Sequence, residues 1–317
     1  MADDARARLA EQLSAAMGGV RIADLRRLSG GASRETWTFA VDGERLVLQR
    51  TREGGLRRLD VEVAVLRAAA AAGVPVPEVI VDGSRSDALE RPFMVVREVP
   101  GETIARKILR DDAHAAAREV LPRQLAHAAA RLHGIEASGI DGLVADDQVA
   151  QYRTVLDESG EAHPVFEAAF RWLEMTRPDP VAPRLVHGDF RLGNVIVAET
   201  GLAAVLDWEL VHLGDPVEDL GWLCVRAWRF GSTRPVAGLG EYDELLDAYA
   251  EVSGVRPARE TLRWWEVLGT LKWGIMCIVQ SQTHLRGVVR SHELAAIGRR
   301  VCENEYDLIT LLEEALS

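Results

Sequence analysis

The 317-residue chain predicts an α+β fold of two lobes, a small β-rich one over residues 1–100 and a larger helical one over residues 101–317. Three observations predict it. β-like runs punctuated by glycine and proline turns fill the chain up to about residue 100, with one strongly helical insert. Apolar residues at helical spacing dominate beyond residue 102. Two short β-like runs, "NVIVAE" and "LAAVLDW", interrupt those helices near residue 200.

Each element has its own signal. Residues 4–17 read as an amphipathic helix, with Leu9, Leu13 and Met17 at helical spacing. "DLRRLSGGASRETWTFAV" and "ERLVLQR" read as β-like stretches joined by the turn "VDGE". A helix is expected from about Leu59 to Ala72, closed by Gly73 and the extended "VPVPEVIV", whose two prolines exclude helix. "PFMVVREV" is a further β-like run, ended by "PGE". "DAHAAAREVLPRQLAHAAARLHGIE" then reads as a long alanine-rich helical segment with a proline near its middle. Helical patterns recur over residues 164–176, 241–252, 260–285 and 291–316. Thr200-Gly201 separates the two β-like runs, which suits a hairpin. No internal repeat or low-complexity linker is present.

Composition excludes several functions. Hydrophobic residues make up 48% and charged residues 27%, close to an ordinary soluble protein. The formal net charge of −12 argues against a nucleic-acid partner, which needs basic clusters. No run of about 18 uncharged apolar residues predicts a membrane span, and the charged N-terminus lacks the apolar core of a signal peptide. A cytoplasmic location is expected. Cys224, Cys277 and Cys302 show no CxxC spacing and the eight histidines no HExxH pair, so a structural zinc site is not expected. The sequence sets no oligomeric state.

The chemistry concentrates in "VHGDFRLGNVIV", residues 186–197. Asp189 falls at a loop tip, Asn194 where the first run of the hairpin begins, and Asp207 where the second ends. A hairpin can set Asn194 and Asp207 side by side. Two oxygen donors beside a further carboxylate suit Mg²⁺, which binds few protein groups and keeps positions for phosphate and water. The remaining carboxylate can orient a hydroxyl and accept its proton.

His-Gly-Asp followed by Asn five residues after the Asp resembles the catalytic loop of the aminoglycoside phosphotransferase and choline kinase-like family, the small-molecule relatives of protein kinases. "VLDWELVHLGDPVEDLG" adds to the resemblance, with Asp207, then Gly214-Asp215-Pro216 and Asp219. The resemblance spans residues 28 to about 223 and implies a bilobal protein-kinase-like fold. It implies Asp189 as catalytic base and Asn194 and Asp207 as Mg²⁺ ligands. It implies His187 as a hydrogen-bonded brace for the loop, and Asp215 and Asp219 as partners of backbone amides. Asp215, before a proline, reads equally as a turn residue, and Asp219 equally as a helix cap.

The small lobe carries the implied nucleotide contacts, for ATP with GTP possible. Gly30, Gly31 and Ser33 resemble the family's short Gly/Ser loop over the phosphates, although the literal GxGxxG is absent. Glu62 falls where the family's helix turns a carboxylate to the nucleotide; a solvent-facing helix glutamate is the plainer reading. The lysine that should pair with it is missing, since Lys107 and Lys272 are the only two in the chain. With Val47 on the adenine, the family register puts Gln49 at the lysine position. Arg50 then points to the opposite face unless the strand end twists. Either Arg50 or another arginine is expected to substitute, or nucleotide affinity falls. Arg97 and Val99 are implied as the hinge residues whose backbone meets the adenine.

The acceptor is expected to be a small molecule bearing a hydroxyl. Trp264, Trp265 and Trp273 lie at helical spacing in the C-terminal region and read first as core residues. Trp265 or Trp273 lining an apolar acceptor pocket is the sharper alternative. Eight acidic and eight basic residues from position 255 onward make no acidic wall for an aminoglycoside. Arg286 and Arg290 could instead meet an anionic acceptor. Two other functions compete with a small-molecule kinase. A pseudokinase or nucleotide-binding module is suggested by Gln49. A protein kinase is disfavoured by HGD in place of HRD, by "DWE" in place of DFG and by the missing APE-like segment.

Overall fold

The computed structural model describes residues 2–28, 34–52 and 58–316. Helix α1 (Ala2–Ala16) precedes strands β1 (Ala23–Arg27), β2 (Arg34–Val41) and β3 (Glu44–Thr51). Asp42 and Gly43 join β2 to β3 with φ of 50° and 86°, the two positive values a type I′ turn uses to match strand twist. Helix α2 (Leu59–Ala71) follows, then β4 (Val79–Gly83) and β5 (Phe93–Arg97). The strands form one antiparallel sheet in the order β1-β2-β3-β5-β4.

Both faces of this sheet are covered. Leu46 and Leu48 of β3 and Phe93 and Val95 of β5 share a core with Leu9 and Leu13 of α1. Val47, Met94 and Val96 turn to the other face and join the larger core that contains α2. Side chains alternate along a strand, so a strand covered on both faces reads as the unbroken apolar run of β5.

The remainder is mostly helical: α3 (Ala105–Arg110), α4 (Ala115–His133), α5 (Gln148–Ser159) and α6 (Pro164–Met175) come first. Short strands β6 (Arg184–Val186), β7 (Val195–Ala198), β8 (Gly201–Val205) and β9 (His212–Gly214) follow. Helices α7 (Val217–Cys224), α8 (Tyr242–Ser253), α9 (Arg259–Leu285), α10 (His292–Ile297) and α11 (Val301–Leu316) close the chain. Leu268, Leu271 and Ile275 of α9 share the large core with Phe166 of α6 and Leu220 and Leu223 of α7. β6 pairs with β9 and β7 with β8, two short antiparallel ladders that hold the ends of residues 187–194. Glu102 and Val197 exchange backbone hydrogen bonds of 2.9 Å, tying the segment after β5 to β7.

Two local expectations change. Residues 291–316 break at a 3₁₀ turn, Gly298–Arg300, into α10 and α11. Helix α5 was not expected at all, because only Val149 and Leu156 of its residues are buried and its apolar period is weak. Its ends were nonetheless legible: the Asp147 side chain accepts from the Val149 and Ala150 amides, and Gly160 ends the helix with φ of 74°. Among the described residues no helix is long and apolar enough to cross a membrane.

Candidate active site

The loop leaving β6 is gripped from beneath. Asp219, fully buried in the first turn of α7, accepts from the His187 amide at 2.7 Å and the Gly188 amide at 2.9 Å. Its third contact is His133 Nε2 at 3.0 Å, whose ring also meets the Tyr249 hydroxyl at 3.0 Å. Burial alone would raise this carboxyl, but His133 and the His187 amide outweigh it and hold it below the usual aspartate value. Asp219 therefore serves the loop; Pro216, not Asp219, occupies the cap position of α7. Asp215 accepts from the Val217 amide at 2.8 Å, the bond of a turn before the helix.

From the other side, Lys272 Nζ of α9 donates to the Gly188 carbonyl at 3.2 Å. Gly188 has φ of +79°, and a Cβ there would lie 2.5 Å from the Leu210 carbonyl oxygen, so only glycine fits. His187 is wholly buried; its Nδ1 accepts from the Asp189 amide at 3.2 Å and its Nε2 faces the Leu206 carbonyl at 2.9 Å. Those partners require the neutral Nε2–H tautomer, which braces the loop against the residue preceding Asp207.

Asp189 is held at both oxygens. Oδ2 accepts from Asn194 Nδ2 at 2.6 Å, and Oδ1 from Trp222 Nε1 at 2.7 Å and Arg191 Nε at 2.9 Å. Arg191 in turn lies over the Trp228 ring, 4.6 Å from its centroid. The carboxylate thus keeps one orientation. Asn194 sits in a 3₁₀ turn (Leu192–Asn194) and accepts the Leu206 amide on its carbonyl at 2.8 Å, which fixes it across the hairpin end from Asp207. With Nδ2 turned to Asp189, Asn194 Oδ1 is the atom left to meet a cation.

Asp207 takes a left-handed conformation, φ 64° and ψ 66°, as β8 passes into a 3₁₀ turn. Its side chain reaches solvent, but protein crowds its remaining sides. That desolvation, with the charges of Glu209 and Asp189, raises its carboxyl above the usual value, against the opposing pull of Arg34. Carboxylates so crowded are relieved by a cation. Among the described residues no group of three or more His, Cys, Asp or Glu side chains is placed to hold a metal. Asp207 with Asn194 offers instead the sparse oxygen set that suits Mg²⁺ beside phosphate.

On the sheet side, Gly30, Gly31 and Ser33 lie outside the described residues. Glu62, 2% exposed in the first turn of α2, pairs with Arg34, the first residue of β2. Arg34 also donates to Gln49 Oε1 at 3.3 Å. Glu62 is therefore an inward-facing residue, and Gln49 accepts from an arginine on the α2 side of the sheet. Arg50 takes the opposite face, as expected without a twist at the strand end: it pairs with Glu35 at 2.6 Å and reaches the Leu89 carbonyl at 3.4 Å, away from Glu62, which leaves substitution to another arginine. Alternation along β3 puts it there. Arg97 donates its amide to Glu78 at 2.9 Å and spreads its exposed side chain to Glu44 and Glu78; Val99 follows just past the end of β5.

The acceptor residues separate. Trp273 packs on Trp228 at 4.8 Å between centroids and Trp228 on Trp222 at 5.4 Å, a row that begins at Asp189. Trp265 instead pairs with Trp264 and borders a different cavity with Asp215 and Glu218. Arg286 caps the exposed end of α9 and lines neither cavity. Trp265 and Trp273 each border a cavity of their own, because their spacing of eight residues spans just over two turns of α9 and sets the side chains about 80° apart, and Arg286 lies beyond both.

Arg34, Arg191, Trp222 and Lys272 were not singled out from the sequence as site residues. The signal for Arg34 existed. The turn at Asp42-Gly43 fixes the pairing Thr36↔Gln49, and Arg34 is two residues from Thr36 on the same face. Arg191 stands two residues from Asp189 in the motif itself. Trp222 and Lys272 had no local signal.

A model of the phosphotransferase enzyme family matches residues 24–265. Acyl-CoA dehydrogenase family member 10 of Mus musculus is 30% identical over 227 residues, 67% of this chain but 21% of that protein. The chain thus spans about a fifth of that relative's length. Hygromycin-B 4-O-kinase of Escherichia coli is 28% identical over 210 residues, 61% of this chain and 60% of the kinase. Two solved structures share the fold. A choline/ethanolamine kinase family protein from Mesorhizobium loti superposes with TM-score 0.68 at 21% identity, covering 98% of this chain and 95% of that one. A thermostable mutant of aminoglycoside phosphotransferase APH(4)-Ia, in complex with AMP-PNP and hygromycin B, gives 0.66 at 18% identity, covering 96% and 98%.

Proposed function

Because the chain belongs to the phosphotransferase enzyme family, we propose that it transfers the γ-phosphate of ATP to a hydroxyl of a small molecule. The observation that carries this reading is the Asp189–Asn194 contact at 2.6 Å with Asp207 across the same hairpin end. Asp189, fixed by Trp222, Arg191 and Asn194, is aligned to accept a hydroxyl proton as the oxygen attacks phosphorus. Asn194 Oδ1 and Asp207 would hold Mg²⁺, which when bound neutralises phosphate charge. His187, Asp219 and Lys272 keep the loop still, so the base need not reorganise during transfer. AMP-PNP in the APH(4)-Ia complex supports an adenine nucleotide as donor; GTP is the second donor to test.

The row Trp222–Trp228–Trp273 leads from the base to a cavity of about 790 Å³ whose lining includes Arg106, Arg226, Arg229, Arg300, Glu303 and Asp307. Arg226, Arg229 and Arg300 are paired with Asp307, Glu266 and Glu303, so the lining offers no acidic wall to a polyamine, while its tryptophan offers an apolar wall to the body of the acceptor. The Mus musculus relative's acyl-CoA dehydrogenase name puts hydroxyacyl compounds into the acceptor panel beside aminoglycosides and amino alcohols.

The test is ADP release with that panel, comparing the native chain with Asp189→Asn. Transfer to the best acceptor should fall roughly 10²- to 10⁴-fold, while the rise in melting temperature on adding Mg·ATP stays. Full transfer by the variant would remove Asp189 from the chemical step.

A further inference from the structure

We propose that Arg34 supplies the positive charge on the donor phosphates that a lysine at position 49 would otherwise carry, so that the phosphate cation has moved from β3 to β2. This rests on the phosphotransfer reading above.

The geometry narrows the candidates. Lysine is absent from residues 1–106, so any such cation on the sheet must be an arginine. Arg50 is turned to the far face by its pair with Glu35, and Arg97 is spread on the surface between Glu44 and Glu78. Arg34 alone among these three joins Glu62, the buried carboxylate of α2. The side chains of Arg34 and Glu62 are 11% and 3% exposed. A buried pair of this kind is costly to desolvate and gains little stability by itself, so its position asks for a role.

Position supplies one. Arg34 directly follows residues 29–33, the glycine and serine stretch that leads into β2. Its charge also reaches Asp207, whose carboxyl it pulls down against the larger effect of desolvation. It therefore stands at the start of β2 with its charge directed toward the metal-facing carboxylate, where donor phosphates would lie. Glu62 and Gln49 orient it from two sides. Glu62 Oε2 is buried with no hydrogen-bond partner among the described residues, so the carboxylate is not closed off as the two-bonded fork an arginine makes in a purely structural pair.

The relocation is stereochemically small. Gln49 lies opposite Thr36, and Arg34 is the diagonal neighbour of Gln49 on one face of the hairpin. Such neighbours are ~7–8 Å apart at Cα, within reach of long side chains. Arginine extends farther than lysine and presents a planar fork to phosphate oxygens. Gln49 then fills the vacated lysine position as a neutral acceptor that steadies the guanidinium.

Calorimetric titration with Mg·ATP and with adenosine tests this on three chains. In Arg34→Met/Glu62→Gln both charges leave together, so no buried carboxylate is stranded. In Arg34→Met/Gln49→Lys the cation returns to β3 opposite an intact Glu62. Relative to the native chain, the first variant should bind Mg·ATP roughly 10- to 100-fold more weakly, as loss of charge-assisted bonds predicts, with adenosine binding unchanged. The second should recover most of that loss. Unchanged Mg·ATP binding by the first variant would overturn the proposal, as would an equal loss of adenosine, which marks a structural pair. Failure of the second to recover Mg·ATP while still binding adenosine would overturn the equivalence of the two positions. If the native chain binds no Mg·ATP, the phosphotransfer reading falls and takes this role with it.

Discussion

At the scale of single residues, Asp207 is the most informative. Its backbone is left-handed, and its carboxyl is raised by the protein that crowds it on all but its solvent side and by the nearby charges of Glu209 and Asp189. A side chain in that position destabilises its own charged form until a cation arrives. Asp207→Ala should therefore leave the apo protein folded and remove the Mg²⁺-dependent part of nucleotide affinity. Titration with ATP in the presence and absence of Mg²⁺ should show a loss of at least about tenfold, ~1.4 kcal/mol. Equal Mg·ATP affinity in variant and native chain would exclude Asp207 as a metal ligand. Residue identities at the loop were legible because His187, Gly188, Asp189 and Asn194 lie within eight positions. Their partners were not, because Trp222 meets Asp189 across 33 residues and Lys272 meets Gly188 across 84.

Among elements, the crossing of α7 and α9 sets the site from below. It is close because glycines face the partner helix: a Cβ on Gly221 would lie 2.5 Å from Trp265 Cβ and 2.7 Å from the Trp265 carbonyl carbon. Gly269 meets Val225 and Trp222 in the same way, at 2.9 and 3.2 Å. Backbone atoms cannot step aside as a side-chain tip can, so Gly221→Ala must part the helices. Denaturant unfolding should show a loss of ~1–3 kcal/mol, and transfer should fall too, because Trp222 moves with α7. Native stability in that variant would show that the crossing tolerates a methyl group. The helices themselves were mostly legible from apolar period, whereas this tight crossing was not, since nothing in "DLGWLC" names the helix it will meet.

For the molecule as a whole, stability couples to pH through a buried histidine that links the β6–β9 ladder to α7. His212 Nε2 lies 3.1 Å from Glu218 Oε2 and Nδ1 lies 2.9 Å from the Leu210 carbonyl, so both nitrogens face acceptors. Burial would lower the imidazole, but Glu218 and the Leu210 carbonyl outweigh it and raise it above 6.5. A raised folded-state value favours the protonated fold. Its contribution is complete below the unfolded value near 6.5 and is lost as pH climbs through the raised one. Melting temperatures of the native chain and His212→Asn across about pH 5 to 9 should differ most at the acidic end and converge at the basic end. A gap independent of pH would show that His212 acts by packing alone.

The sequence by itself determined the hairpin turns, the two-lobed order of elements and the spacing of His187, Asp189, Asn194 and Asp207. These rest on short-range chemistry: positive φ at Gly43, alternation along a strand, periodicity along a helix, and a loop of fixed length. Tertiary structure alone decided which arginine pairs with Glu62, which indole holds Asp189, and that Asp219 grips the loop instead of capping α7. Those choices belong to side chains brought together from 28 to 84 residues apart. Local propensity says which element forms; only the packing of one element on another says which side chains meet.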